Sequence, residues 1–223
     1  MSKTQRVWRK ICVVPFFALA LILLAGSGFA ASRRDGSQSD RDQAPPHGPV
    51  DAQVSVCFVP AQACDTAIAD AIRDARDSIR VQAYGFTAPM ILRELAAARA
   101  RGVDVQAILD KSDDRRERPG ARPRMDGAAF AAAAGIPTWI DDTVTIAHNK
   151  IIIIDGRVVV GGSYNYTVSA ERHNAENVTF IQSPVLAGLY LANWDARKSV
   201  SRPYESAGSE TGRNFVASEQ DGN

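Results

Sequence analysis

Residues 147–165 read AHNKIIIIDGRVVVGGSYN, and the patterning of their middle decides the fold. Asp155-Gly156, set between the apolar runs 151–154 and 158–160, is a two-residue turn that wants positive φ, so the segment reads as a β-hairpin. Neither strand alternates apolar with polar residues. A continuously apolar strand is covered on both faces, which places the hairpin inside a sheet.

Upstream, QVSVCFV (53–59) reads as a strand. A helix capped by Asp65 follows through about Ser78, with Ile68, Ala71, Ile72 and Ala75 spaced for one buried face. IRVQAYGF (79–86) is a second strand, and a second helix opens at Thr87 and Pro89 and stops at Gly102. VDVQAIL (103–109) is a third strand. After a loop rich in both charges come an Ala-rich helix (127–134) stopped by Gly135 and a strand at 137–140. Beyond the hairpin lie the strand ENVTFIQ (176–182) and a last helix (184–199). The order strand, helix, strand, helix, strand implies parallel pairing. The expected fold is α/β: a mixed, largely parallel β-sheet flanked by helices on both faces, with no internal repeat.

The ends differ from this body. Lys3, Arg6, Arg9 and Lys10 precede the apolar run ICVVPFFALALILLAG (11–26) and the small residues 27–31, a pattern that reads as a signal peptide cut after Ala30. The run is slightly short for a membrane span, which needs about 20 apolar residues. Residues 31–52 read as a flexible tether, 53–200 as the folded domain and 201–223 as a flexible tail. The whole chain of 223 residues has a net charge of +1, which argues against a protein that coats nucleic acid by bulk electrostatics. Without residues 1–30 the balance is 22 basic against 25 acidic side chains, a net charge of −3. Export, to the periplasm or beyond, also leaves Cys57 and Cys64 as a pair in an oxidising compartment, where a structural disulfide is the expected state. Their spacing is neither a C-x-x-C motif nor a four-ligand metal set.

The chemistry concentrates at the mouth of the hairpin. In strand alternation His148 and Lys150 point to one side, and the returning strand brings Ser163 and Asn165 beside them. Glu176, on the next strand, is placed to accept a hydrogen bond from the imidazole. A neutral imidazole can attack phosphorus while ammonium and carboxamide donors neutralise the non-bridging oxygens, and a carboxylate on the other ring nitrogen sets the tautomer. The spacing H-x-K-x4-D-x6-G-S-x-N fixes six residue types, and at average usage it arises by chance with odds on the order of one in 100,000 or less.

This pattern resembles the phospholipase D superfamily, specifically its small, single-motif, exported bacterial nucleases. The resemblance runs through CFVPAQAC, RVQAYGFT, RGVDVQAILDKS, GIPTWIDD, AHNKIIIIDG, GGSYNYT and NAENV. It implies an α/β/α sandwich and His148 as a nucleophile that forms a phosphohistidine. It implies that Lys150 and Asn165 hold the phosphate with support from Ser163, that Glu176 orients His148, and that Asp155 has a structural or proton-network role. His173 matches no position of the family's motif and reads as a surface residue.

Displacement through a phosphohistidine needs a nucleophile and an acid, and one chain supplies one motif. The expectation is a two-fold homodimer in which one His148 attacks and the other serves as acid, with His173 as the internal rival. No cofactor and no metal is expected. The expected substrate is nucleic acid, DNA with RNA as the alternative, held through its phosphates with little sequence preference. Arginines 115, 116, 118, 122 and 124 together with Lys111 line a groove or a solvated loop, the latter because Asp110, Asp113, Asp114, Glu117 and Asp126 accompany them. Candidate base-stacking rings are Tyr84, Phe86, Trp139, Tyr164 and Tyr166. The rival readings are a phospholipid hydrolase, membrane-held if the N-terminal segment stays uncut, and a catalytically silent nucleic-acid-binding domain.

Overall fold

Eight strands form one sheet in a computed structural model that describes residues 48–114 and 126–205. They are β1 (Gln53–Val59), β2 (Ser78–Ala83), β3 (Asp104–Asp110), β4 (Thr138–Asp141), β5 (Lys150–Ile154), β6 (Val158–Gly162), β7 (Glu176–Gln182) and β8 (Arg202–Pro203), in the spatial order β1-β7-β6-β5-β2-β3-β4-β8. The β5–β6 hairpin turns at Asp155 and Gly156 with φ of 51° and 60°, as that pair requires. Ile152 and Val160 pack into one core and Ile153 and Val159 into another, so the hairpin is covered on both faces.

The helices are α1 (Cys64–Asp74), α2 (Pro89–Ala100), α3 (Gly127–Ala133), α4 (Val168–His173) and α5 (Pro184–Val200). Ile68 and Ile72 of α1, Ile91, Leu92 and Leu95 of α2, and Ala128 and Ala131 of α3 build the larger core on one face of the sheet. On the other face α5 inserts Ala187 and Trp194, and the Trp194 indole N–H donates to Val81 O at 3.0 Å.

The sheet is mixed, but parallel pairing is confined to β2–β3 and β3–β4, and the other five pairs are antiparallel. The expectation of a largely parallel sheet took β1–α1–β2 for a crossover between neighbours. Instead β1 runs to the far edge and pairs antiparallel with β7, which leaves room for the hairpin beside β2. Two further details differ from expectation. Asp65 lies inside α1 rather than before it, and its own N–H is taken by Glu171 Oε2 at 3.1 Å. The helix stops at Asp74, short of Ser78, because the Asp155 carboxylate accepts the N–H groups of Arg76, Asp77 and Ser78 and draws them into the start of β2.

Ordered chain also continues past 200, where a tail was expected. β8 pairs with β4, and Arg202 bonds the carboxylates of Asp114 and Asp142, each at 2.9 Å. The segment expected to be a signal peptide, most of the expected tether, the arginines at 115–124 and the remaining tail lie outside the described residues. Among the described residues no helix is long and apolar enough to cross a membrane. Cys57 and Cys64 are joined as a disulfide.

Candidate active site

Four strand ends meet at one edge of the sheet: the starts of β5 and β7 and the ends of β2 and β6. The registers Ala83↔Lys150, Gly162↔Val178 and Val59↔Glu176 bring them there. Gly162 is required at this edge, since a Cβ on it would stand 2.2 Å from Asn177 O, with the backbone at φ +154°. That close approach lets the chain leave β6 and present Ser163 to Glu176.

His148 is exposed just before β5, and Lys150 beneath it is only 7% exposed. The Lys150 ammonium donates to His148 O at 2.8 Å, and burial lowers its pKa below the ordinary lysine value against an opposing pull from the Glu176 charge. The Asn165 carboxamide makes no hydrogen bond with the described residues, and its oxygen is buried. Its Nδ2 group, which no described residue engages, keeps both N–H donors for the oxygens of a ligand. Ser163 Oγ donates to Glu176 Oε2 and accepts from Asn177 N–H at 3.1 Å, while Asn174 Nδ2 donates to Glu176 Oε1 at 2.8 Å.

The edge thus gathers His148, Lys150, Ser163, Asn165 and Glu176. One expected contact differs, and one residue of the motif lies away from the edge. Glu176 is engaged by Ser163 and Asn174, and no described residue hydrogen-bonds either ring nitrogen of His148. Asp155 is at the opposite end of β5, a five-residue strand of about 17 Å away. Its carboxylate caps the entry to β2: partial burial pulls its pKa up, but the three backbone donors outweigh this and hold it below the ordinary value. His173 ends α4 on the exposed surface.

Several residues that frame the site were read differently from the sequence. Asp110, Asp113 and Asp114 are buried rather than solvated. Asp110 Oδ2 accepts Ala147 N–H at 2.8 Å, Lys111 Nζ donates to Val144 O at 2.9 Å, and Asp113 accepts the N–H groups of Gly85 and Phe86. Burial pushes the Asp113 pKa up in spite of those two donors. Arg197 of α5 clamps Asp141 in a two-pronged ion pair at the root of the loop leading to His148. Asp126 caps α3 by accepting from Ala128 and Ala129 N–H. The available signal was position: these acids follow the carboxyl end of a strand in an α/β layer, where sites gather. Of the candidate stacking rings, Phe86, Tyr164 and Tyr166 are core residues and Trp139 packs with α5, whereas Tyr84 stands against His148.

This arrangement has known counterparts. Residues 68–197 match the family model described as cardiolipin synthase, PLD-like domain. A protein named phospholipase D from Rickettsia bellii is 41% identical over 148 residues, covering 66% of this chain and 70% of the relative. A mitochondrial cardiolipin hydrolase from Xenopus laevis is 28% identical over 150 residues, 66% of this chain and 68% of the relative. Among solved structures, Nuc from Salmonella typhimurium, a phospholipase D family member, is 36% identical with a TM-score of 0.63, covering 70% of this chain and 100% of its own. NucT from Helicobacter pylori shares the fold with a TM-score of 0.60 at 18% identity, covering 69% of this chain and 100% of its own.

Proposed function

The chain belongs to the phospholipase D family and is a phosphodiester hydrolase, and from that premise we propose that it is a metal-independent endonuclease acting on nucleic acid, DNA ahead of RNA, through a phosphohistidine on His148. The observation that carries this reading is the edge itself: an exposed imidazole above a buried ammonium and an uncommitted carboxamide, open to a phosphodiester within a long chain. The likeness to Nuc over that protein's whole chain supports it. A ring nitrogen of His148 attacks phosphorus while Lys150 and Asn165 take the non-bridging oxygens. The leaving oxygen takes a proton from an acid, which then deprotonates the water that hydrolyses the P–N bond.

The acid is the partner's His148 in a two-fold dimer. Each chain brings one motif, and in this chain Glu176 is spent on Ser163 and Asn174 rather than on the His148 ring. A second copy facing this edge supplies what one chain lacks. Export to the periplasm or beyond belongs to the same reading, supported by the basic and then apolar N-terminus and by the Cys57–Cys64 pair.

A second reading is hydrolysis of phospholipid by the same groups. It is favoured by the exposed Val144 and Ile146 on the loop before His148, and by the relatives named phospholipase D and cardiolipin hydrolase. The two are separated by measuring kcat/KM of the mature chain on plasmid DNA and on cardiolipin or phosphatidylcholine vesicles. The nuclease reading expects DNA to be the better substrate by orders of magnitude. Turnover of vesicles with intact plasmid establishes the second reading instead.

A further inference from the structure

We infer that Tyr84 is a positioning residue for the nucleophile, one that holds the His148 imidazole and favours the positive charge the ring acquires on bonding to phosphorus. This rests on the phosphohistidine reading above. The two ring centroids are 4.9 Å apart with planes inclined by 60°, and among the described residues no other ring contact and no hydrogen bond restrains the His148 imidazole. The Lys150 ammonium lies 5.4 Å from the centroid of the same Tyr84 ring. One aromatic ring therefore stands beside the group that carries positive charge and the group that gains it.

Tyr84 is itself well anchored. Its N–H donates to Asn149 O at 3.0 Å, tying it to the residue between His148 and Lys150. The next two N–H groups, of Gly85 and Phe86, donate to the buried Asp113 carboxylate at 2.9 and 3.1 Å.

In the covalent step a lone pair on an imidazole nitrogen forms the N–P bond, the P–O bond to the leaving group breaks, and the leaving oxygen takes the acid's proton. The product is an N-phosphorylated imidazolium. A neighbouring aromatic ring interacts more favourably with that cation than with the neutral imidazole. An interaction that grows only as charge develops raises kcat and leaves KM alone.

The test uses bis(p-nitrophenyl) phosphate, a phosphodiester with neither nucleobase nor acyl chain, and compares the wild type with Tyr84→Phe, Tyr84→Leu and His148→Ala. Tyr84→Phe is expected within about twofold of wild type, and Tyr84→Leu to lose about tenfold in kcat with KM little changed. The Tm of each variant is measured alongside. Should Leu lower Tm by more than a few degrees, Tyr84→Met is read in its place against the same expectation. A wild-type kcat in the aliphatic variant, an effect confined to KM, or a Phe variant as poor as the aliphatic one overturns the inference. A wild type without phosphodiesterase activity, or an active His148→Ala, overturns the underlying reading and the inference with it.

Discussion

Lys150 combines a buried stem with an ammonium under the His148 backbone, and its desolvation has a measurable consequence. Its folded pKa lies below the ordinary lysine value, so as pH rises the charge is lost earlier than from a free lysine. The profile of kcat/KM, which reports the free enzyme, is expected to decline on its alkaline side below pH of about 10.4. A decline that begins only above that pH contradicts the assignment of Lys150 as the phosphate-neutralising cation. The residues that meet at the edge were legible because strand alternation and a two-residue turn fix which side chains return beside His148. Glu176 was located correctly on its strand, but its partners were not legible. Whether a carboxylate meets an imidazole or a serine depends on how β6 ends, and that is decided by the contact between Gly162 and Asn177 O. Asp110 and Asp113 were masked by the charged residues around them, although both hold backbone N–H groups flanking the site.

The hairpin is the element on which the site is built, and its two ends have separate duties. Asp155 at the turn joins α1 to β2 through three backbone N–H bonds, while the chemistry sits at the other end of β5. Asp155→Asn is therefore expected to cost stability, about 1–2 kcal/mol given its partial exposure, and to leave kcat of the folded enzyme within about twofold. The sign with pH follows from the depressed folded pKa. The carboxylate contributes stability above its unfolded value of about 3.9 and loses that contribution as pH falls through the lower folded value. Urea unfolding should show the gap between wild type and Asp155→Asn narrowing below pH of about 4. A variant of unchanged stability but much reduced kcat would return Asp155 to the reaction. Strand and helix positions were legible from periodicity. The pairing of β1 with β7 and the two-residue β8 were not, since both depend on contacts between distant parts of the chain. A strand as short as Arg202–Pro203 carries no periodicity at all.

For the whole molecule, a net charge near zero fits a catalyst whose positive charge is needed only around Lys150. One histidine per chain at this edge is what the proposed pair of chains rests on, and mixing measures that pairing directly. When wild type and His148→Ala are co-refolded, dimers that need both histidines give activity proportional to the square of the wild-type fraction. An equal mixture then retains about a quarter of the activity rather than a half. A linear decline contradicts the shared site. Metal-independent attack by His148 on a phosphodiester is tested by incubating wild type and His148→Ala with circular plasmid DNA in excess EDTA. The wild type is expected to nick and linearise the plasmid while the variant leaves it supercoiled. Loss of wild-type cleavage in EDTA, or cleavage by both proteins, would rule out such an attack by His148.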